Sequence, residues 1–203
     1  MQNHIEPDDP LSVRIRDKFF PGLEILSVPI IERMKTAQCY ANVCDYVTKH
    51  GGTSQMGWLL TAIPGKFVEA THHSVWRSPT GELFDVTGAA FSAMTNLIST
   101  FIVDLETPPP EDYWHPTIPS WFLVLSDDAT TKSYVRATRL KIQTLGLLMR
   151  EARLLGFRME RMPDQQVYIV GKGPTNDRFQ DLQKKFEEVS SEKDRLSAAL
   201  LRR

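Results

Sequence analysis

Two runs rich in β-branched and aromatic residues flank Ser78-Pro79-Thr80-Gly81, one from Val68 to Arg77 and the other from Leu83 to Thr87. Pro and Gly at those places favour a turn, so the stretch predicts a β-hairpin. On its first strand a period of two sets Glu69, Thr71, His73 and Val75 on one face and Val68, Ala70, His72, Ser74 and Trp76 on the other. His72 and His73 therefore point opposite ways. Upstream the period lengthens: Tyr40, Val43, Cys44 and Val47 follow the i, i+3, i+4, i+7 spacing of a helix with one buried face. Thr36 is its expected N-cap and Gly51-Gly52 its stop.

The remaining pattern fills in around these two elements. Met56 to Ile63 is a short apolar run that suits a buried strand, and Trp121 to Leu125 and Gln165 to Val170 also have strand character. Ala89 to Glu106 is apolar without a decisive period, and fits helix or strand equally. Residues 1 to 35, with four prolines, read as a loose lead-in carrying one short apolar segment. Thr107 to Trp121 holds five prolines and three aromatics, which suits an ordered loop that either connects elements or lines a cleft. Thr130 to Phe157 predicts a long helix with Leu145, Leu148, Met149, Ala152 and Leu155 on one side. Phe179, Leu182, Phe186, Val189, Lys193, Leu196 and Leu200 recur in alternating steps of three and four, a heptad seam interrupted once by Lys193. A seam this short needs a partner surface: its own domain, a second copy of the chain, or a foreign helix.

A chain of 203 residues suits one domain with an appendage, taken as residues 1–173 and a helical extension at 174–203. The formal net charge of −1 gives no global attraction to nucleic acid or anionic membrane, so function must be local. Between Lys132 and Arg161 eight basic residues face two acids, an excess that could meet phosphates or an acidic protein, although a solvated helix face is the commoner use. The N-terminus has neither the basic nor the apolar region of a signal peptide, and no uncharged apolar run reaches spanning length, so a cytoplasmic location without membrane association is expected. Cys39 and Cys44, five positions apart, do not make a disulfide framework, which suits a reducing compartment.

Position separates the two thiols. Cys44 falls in the apolar stripe, where cysteine packs as a small inert hydrophobe. Cys39 falls in the first helical turn, where unpaired N–H groups and the positive end of the helix dipole favour a thiolate. A lone strand histidine is usually structural, but His73 occurs together with a helix-start cysteine and with Asp85 on the next strand, a nucleophile, base and orienter that packing alone does not require. Gln38, next to the thiol, and Trp76, on the hairpin, are the candidate oxyanion or substrate contacts. Cys39, Cys44, His50, His72 and His73 also invite a zinc reading. Zinc knuckles use Cys-x2-4-Cys with His-x3-5-His, of which only the cysteine pair fits, loosely, and helix residues five apart face different ways, so neither metal nor cofactor is expected.

The order Cys39 at a helix start, His73 on a strand and Asp85 on the following strand resembles the papain-like cysteine hydrolases, a group that includes transglutaminase-like enzymes and protein deamidases. Within it, Cys39-Tyr-Ala-Asn-Val43 with a later strand His and Asp85-Val-Thr87 is similar to N-terminal glutamine amidohydrolases. The likeness covers Thr36 to Gly88. It implies an α+β papain-like fold, with Cys39 as nucleophile, His73 as general base and acid, and Asp85 as orienter of the imidazole. Papain-type proteases place a Gln six residues before the Cys, where this chain has Arg33, so the resemblance points away from proteolysis.

The expected function is thiol-dependent hydrolysis of an amide in a protein or peptide substrate. The competing expectation is a non-enzymatic interaction protein that binds a protein or nucleic acid through the basic helix and the C-terminal seam, residues 175–203, which would also serve self-association. The triad carries a geometric condition. For His73 to face Asp85 directly, Trp76 must face Glu82, leaving Arg77 to Gly81 as a five-residue loop, with the imidazole between the Asp85 carboxylate and the Cys39 sulfur.

Overall fold

The computed structural model describes residues 4–32, 34, 38–87, 98–109, 117–161, 167–170 and 175–201. The elements are α1 (Pro10–Phe19), β1 (Ile25–Pro29), α2 (Cys39–His50), β2 (Thr53–Ile63), β3 (Phe67–Arg77), β4 (Leu83–Phe84), β5 (Ile98–Val103), β6 (Trp121–Val124), α3 (Ala129–Leu154), β7 (Arg158–Arg161), β8 (Val167–Val170) and α4 (Asp177–Leu201). The fold is α+β, as expected. Its compact units divide elsewhere than the expected boundary at residue 173: one comprises Met1–Tyr113 with Ser120–Asp127, the other Trp114–Pro119 with Asp128–Arg203. No helix among the described residues is long and apolar enough to cross a membrane.

In the first unit the strands run in the order β1-β5-β2-β3-β4, each pair antiparallel. Just beyond β4 the chain meets β1 again. Asp85 N–H donates to the Pro29 carbonyl at 2.8 Å and the Asp85 carbonyl accepts from Ile31 N–H at 3.1 Å, so the sheet nearly closes into a barrel. Val28 of β1, Val75 of β3 and Phe101 of β5 converge into one buried cluster with Leu26, Leu83 and Val103 packed on it, although β3 pairs with neither β1 nor β5, which identifies this face as the interior. By strand alternation His73 shares the face of Val75. Gly57, the β2 residue directly opposite His73, leaves space there: a Cβ would strike the Phe101 ring and the Ile102 carbonyl oxygen.

One gap in this sheet positions the site. β6 pairs with Phe67–Ala70 of β3 and β4 with Trp76–Arg77, so among the described residues the stretch from Thr71 to Val75 has a strand on its β2 side and none on the other. The first turn of α2 meets β3 at that gap: Tyr40 hydrogen-bonds both the ring and the carbonyl of His72.

The hairpin loop has the expected five residues but lies one position on, at Ser78 to Glu82, because Trp76 pairs with Phe84 and Arg77 with Leu83. Ser78 N–H bonds to the Glu82 carbonyl at 2.8 Å and Gly81 takes the left-handed conformation, φ 94°, that closes the turn. The register is thus displaced by two residues from the expected one. An even displacement keeps every side chain on its face, so Asp85 lies diagonal to His73 instead of opposite it and still points the same way.

The N-terminal stretch corrects a second expectation, since it holds a helix and a strand in place of a loose lead-in. Asp9 accepts a hydrogen bond from Leu11 N–H at 2.8 Å and Pro10 opens α1, a helix start whose signal is the Asp-Pro pair itself.

In the second unit α3 is capped by Asp128, whose carboxylate accepts from the Thr131 amide and hydroxyl, both at 2.8 Å. α4 runs antiparallel to it, because Phe157 stacks on Phe179 at 5.4 Å at one end and Lys193 lies 5.6 Å over the Tyr134 ring at the other. All seven seam residues are buried or half-buried, as expected from the heptads, and Ser190, Ser197 and Ala199 beside them are half-buried too. Leu148, Ala152 and Phe179 form their core with Leu182 and Phe186, so the seam is covered by the chain's own α3. Lys193 does not break the seam. Its ammonium rests on an aromatic face while its stem packs. Buried Glu151 ties the start of α4 down, accepting from Asn176 at 2.8 Å and pairing with Arg178 at 3.2 Å.

Candidate active site

α2 begins at Cys39, with Gln38 at its N-cap position, where the Gln38 carbonyl accepts the first helical bond from Asn42 N–H at 2.9 Å. Thr36 and Arg33 lie outside the described residues. All five residues from Cys39 to Val43 are buried, which a helix lying sideways on a sheet cannot achieve; this one enters end-on. Cys44, expected in the apolar stripe, is exposed. Stripe reasoning fails here because the first turn is enclosed all round, whereas beyond it Asp45, Tyr46 and Val47 are half-buried and Cys44 faces outward.

His73 and Asp85 meet as expected, with Nε2 3.1 Å from Asp85 Oδ2. Cys39 also lies within reach of the same imidazole, acting on it through its charge and a side-chain hydrogen bond. Asp85 is fully buried and held from two further directions: Thr87 N–H donates to Oδ1 at 2.8 Å and the Ser99 hydroxyl to Oδ2 at 2.7 Å. Burial alone would push the His73 pKa down. The Asp85 charge, then Cys39, and the hydrogen bonds to both overcome it and hold the pKa well above the ordinary value, so the ring is an imidazolium near neutrality.

Behind β3 the neighbouring histidine sits in a different setting. His72 Nδ1 and the Tyr40 hydroxyl share a hydrogen bond of 2.6 Å, and the imidazole meets Trp58 edge to face at 4.8 Å. The Trp58 indole N–H donates to Asp104 at 2.8 Å, and Asp104 also accepts from the Glu106 and Thr107 amides and the Thr107 hydroxyl. Burial raises the Asp104 pKa, but the bonds from Thr107 and Trp58 outweigh it and bring the value to about 2. Burial lowers His72 to about 4 against the modest pull of Asp104, so its ring is neutral. Its Nε2 is buried with no hydrogen-bond partner among the described residues. The Tyr40 phenol is raised by burial and by Cys39, and stays protonated.

Gln38 is buried beside Cys39, where a substrate carbonyl oxygen would find the amides of the first helical turn. Trp76 is not brought there. Its indole N–H donates to the Gly51 carbonyl at 2.8 Å and its ring packs on Tyr46 and Phe84, which anchors the far end of α2, about 18 Å along the helix from Cys39. Gly52 lets that indole approach, since a Cβ there would lie 2.8 Å from its nitrogen. Ser99, Thr87 and Tyr40 are the site residues that the sequence reading did not find. The signal for Thr87 was its position two residues after Asp85; Ser99 lay in a stretch whose period was undecided. The five residues of the zinc reading do not converge: Cys39 meets His73, but Cys44 is exposed and His50 packs on Tyr46 at 4.2 Å. Among the described residues no three His, Cys, Asp or Glu side chains stand together as metal ligands.

No protein-family model, no curated protein and no solved structure matches the chain.

Proposed function

We propose that the chain is a thiol-dependent amidohydrolase of papain-like architecture, a Cys-bearing helix set against an antiparallel sheet that bears His and Asp. The observation that carries this reading is the buried imidazole of His73, 3.1 Å from Asp85 and within reach of Cys39. With His73 already protonated, the Cys39 sulfur adds to the amide carbonyl carbon as the thiolate paired with that imidazolium. The resulting oxyanion is met by the N–H groups at the start of α2, with Gln38 beside them. His73 then gives its proton to the departing amine as the C–N bond breaks, leaving a thioester. Next it takes a proton from water, whose hydroxide adds to the thioester carbonyl; the C–S bond then breaks, the acid leaves, and the thiolate–imidazolium pair is restored. Asp85 stays ionised throughout and fixes the ring. Hydrolysis, deamidation and transfer to another amine share every step before the thioester is opened.

A free, working thiol needs reducing surroundings, which supports a cytoplasmic location. The interaction-protein reading is weakened by α4, whose seam is already covered by α3. The test is turnover of peptide-bound glutamine, protein-bound glutamine and small amides by the wild type and by Cys39→Ala. Wild type should release ammonia or amine and give a trapped acyl adduct on Cys39 by mass spectrometry. Equal release by Cys39→Ala would exclude the proposal.

A further inference from the structure

We infer that Tyr40 and His72 form a latch that positions the nucleophile, an inference that rests on the proposed role of Cys39. Two consecutive residues of α2 reach two consecutive residues of β3 on its opposite faces. Cys39 bonds the ring of His73 on the interior side, and Tyr40 bonds the ring of His72 at 2.6 Å and its carbonyl at 3.3 Å on the other. A single contact between a helix end and a strand leaves the helix free to roll and slide about it. Contacts on both faces of the strand, made by adjacent helical residues about 100° apart, fix roll and translation together. They do so at the stretch of β3, Thr71 to Val75, where no neighbouring strand supplies that restraint among the described residues.

His72 is a poor choice for stability alone. It is 2% exposed, its Nε2 is buried without a partner among the described residues, and an aliphatic side chain would fill the volume without burying an unmet polar atom. What the imidazole supplies, and an aliphatic group would not, is an Nδ1 aimed at the Tyr40 hydroxyl. Tyr40 and His72 are thus positioning residues. Neither touches the reacting atoms.

The full chain carrying Cys44→Ser, so that one thiol remains, should be compared with Tyr40→Phe, His72→Leu and His72→Asn in that background. Asn places Oδ1 close to the position of Nδ1 and preserves the bond to Tyr40. Two readouts are needed: the pH profile of Cys39 alkylation by iodoacetamide, and the titration midpoint of His73 by NMR. Tyr40→Phe and His72→Leu should slow alkylation at pH 6.5 about tenfold and lower the His73 midpoint by about one unit, as the sulfur moves off the ring, with folding intact by circular dichroism. His72→Asn should restore both toward wild type. Unchanged profiles and midpoint in Tyr40→Phe, or Asn as impaired as Leu, overturn the latch. A midpoint that falls in Tyr40→Phe while amide turnover survives Cys39→Ala would uphold the latch and remove the proposed function instead.

Discussion

The two faces of β3 carry adjacent histidines, both almost fully buried, in opposite charge states: His73 is an imidazolium and His72 a neutral ring. Burial acts on both in the same direction, toward the neutral form. The difference is the partner within reach. His73 has a carboxylate at 3.1 Å, whereas His72 has a phenol at 2.6 Å, and its nearest carboxylate, Asp104, is engaged by Trp58 and Thr107. Burial therefore sets how much a neighbouring charge matters, and the neighbour sets the sign. The same strand thus presents a charged imidazole to Cys39 on one face, and on the other a hydrogen-bonded ring that does not titrate near neutrality.

The strongest way to break this contrast is Asp85→Ala. It leaves the His73 imidazolium buried without its carboxylate, a change that costs about 3–5 kcal/mol when one member of a buried pair is removed. The ring should respond by losing its proton, so that the His73 midpoint drops below the ordinary histidine value and His73 comes to behave as His72 does. Urea denaturation at neutral pH and NMR titration measure the two effects. A midpoint that stays high without Asp85 would mean that the carboxylate is not what charges the ring.

Acid sharpens the contrast next. His72 has a folded-state pKa of about 4 against an unfolded value of 6.5, so the unfolded chain takes up a proton first as pH falls. Stability is unaffected by this group above pH 6.5 and is lost progressively between about 6.5 and 4, by up to about 3 kcal/mol. His73 has the opposite sign. Its raised pKa stabilises the fold fully below 6.5, and that contribution disappears as pH rises through its folded-state value. Between pH 4 and 6.5 the His73 contribution is therefore level and the slope belongs to His72. His72→Asn should flatten the fall in urea midpoint between pH 7 and 4.5. An unchanged slope would assign acid sensitivity to another group.

Much of this arrangement was legible in the sequence because it depends on parity and on helix ends. Alternation along Phe67 to Arg77 separates the two histidines whatever the exact pairing, and the two-residue displacement of the hairpin left Asp85 on the correct face for the same reason. The position of Cys39 followed from the helix start. What escaped was set by tertiary context. Ser99 holds Asp85 from β5, but the apolar stretch containing it has no period from which a face could be read. α1 was hidden because Pro10 was taken as loop punctuation, although after Asp9 it marks a first helical turn. Trp76 shares the His72 face by simple alternation, and its indole is consumed by Gly51 at the far end of α2. The boundary at 173 failed because a strong heptad seam looks the same whether it meets a foreign helix or α3.

Cys44 gives the smallest expected effect and the cleanest control on the thiol chemistry. The apolar-stripe reading makes it a core residue, so that Cys44→Ala would open a cavity and cost stability. The fold places it on the exposed side of α2 just past the enclosed first turn, where such a substitution should change stability by no more than about 0.5 kcal/mol. Its chemistry should also differ from that of Cys39. Local burial of the sulfur, and then the charge of Asp45, raise its pKa, so that less thiolate is present at neutral pH. In wild type, iodoacetamide mapped by mass spectrometry should label Cys44 slowly at pH 7 and faster as pH rises past its elevated pKa, with no inflection in the acid range. Cys44→Ala should leave the Cys39 profile unchanged. A loss near 2 kcal/mol would return Cys44 to the core, and an altered Cys39 profile would show that the exposed half of α2 communicates with its enclosed end.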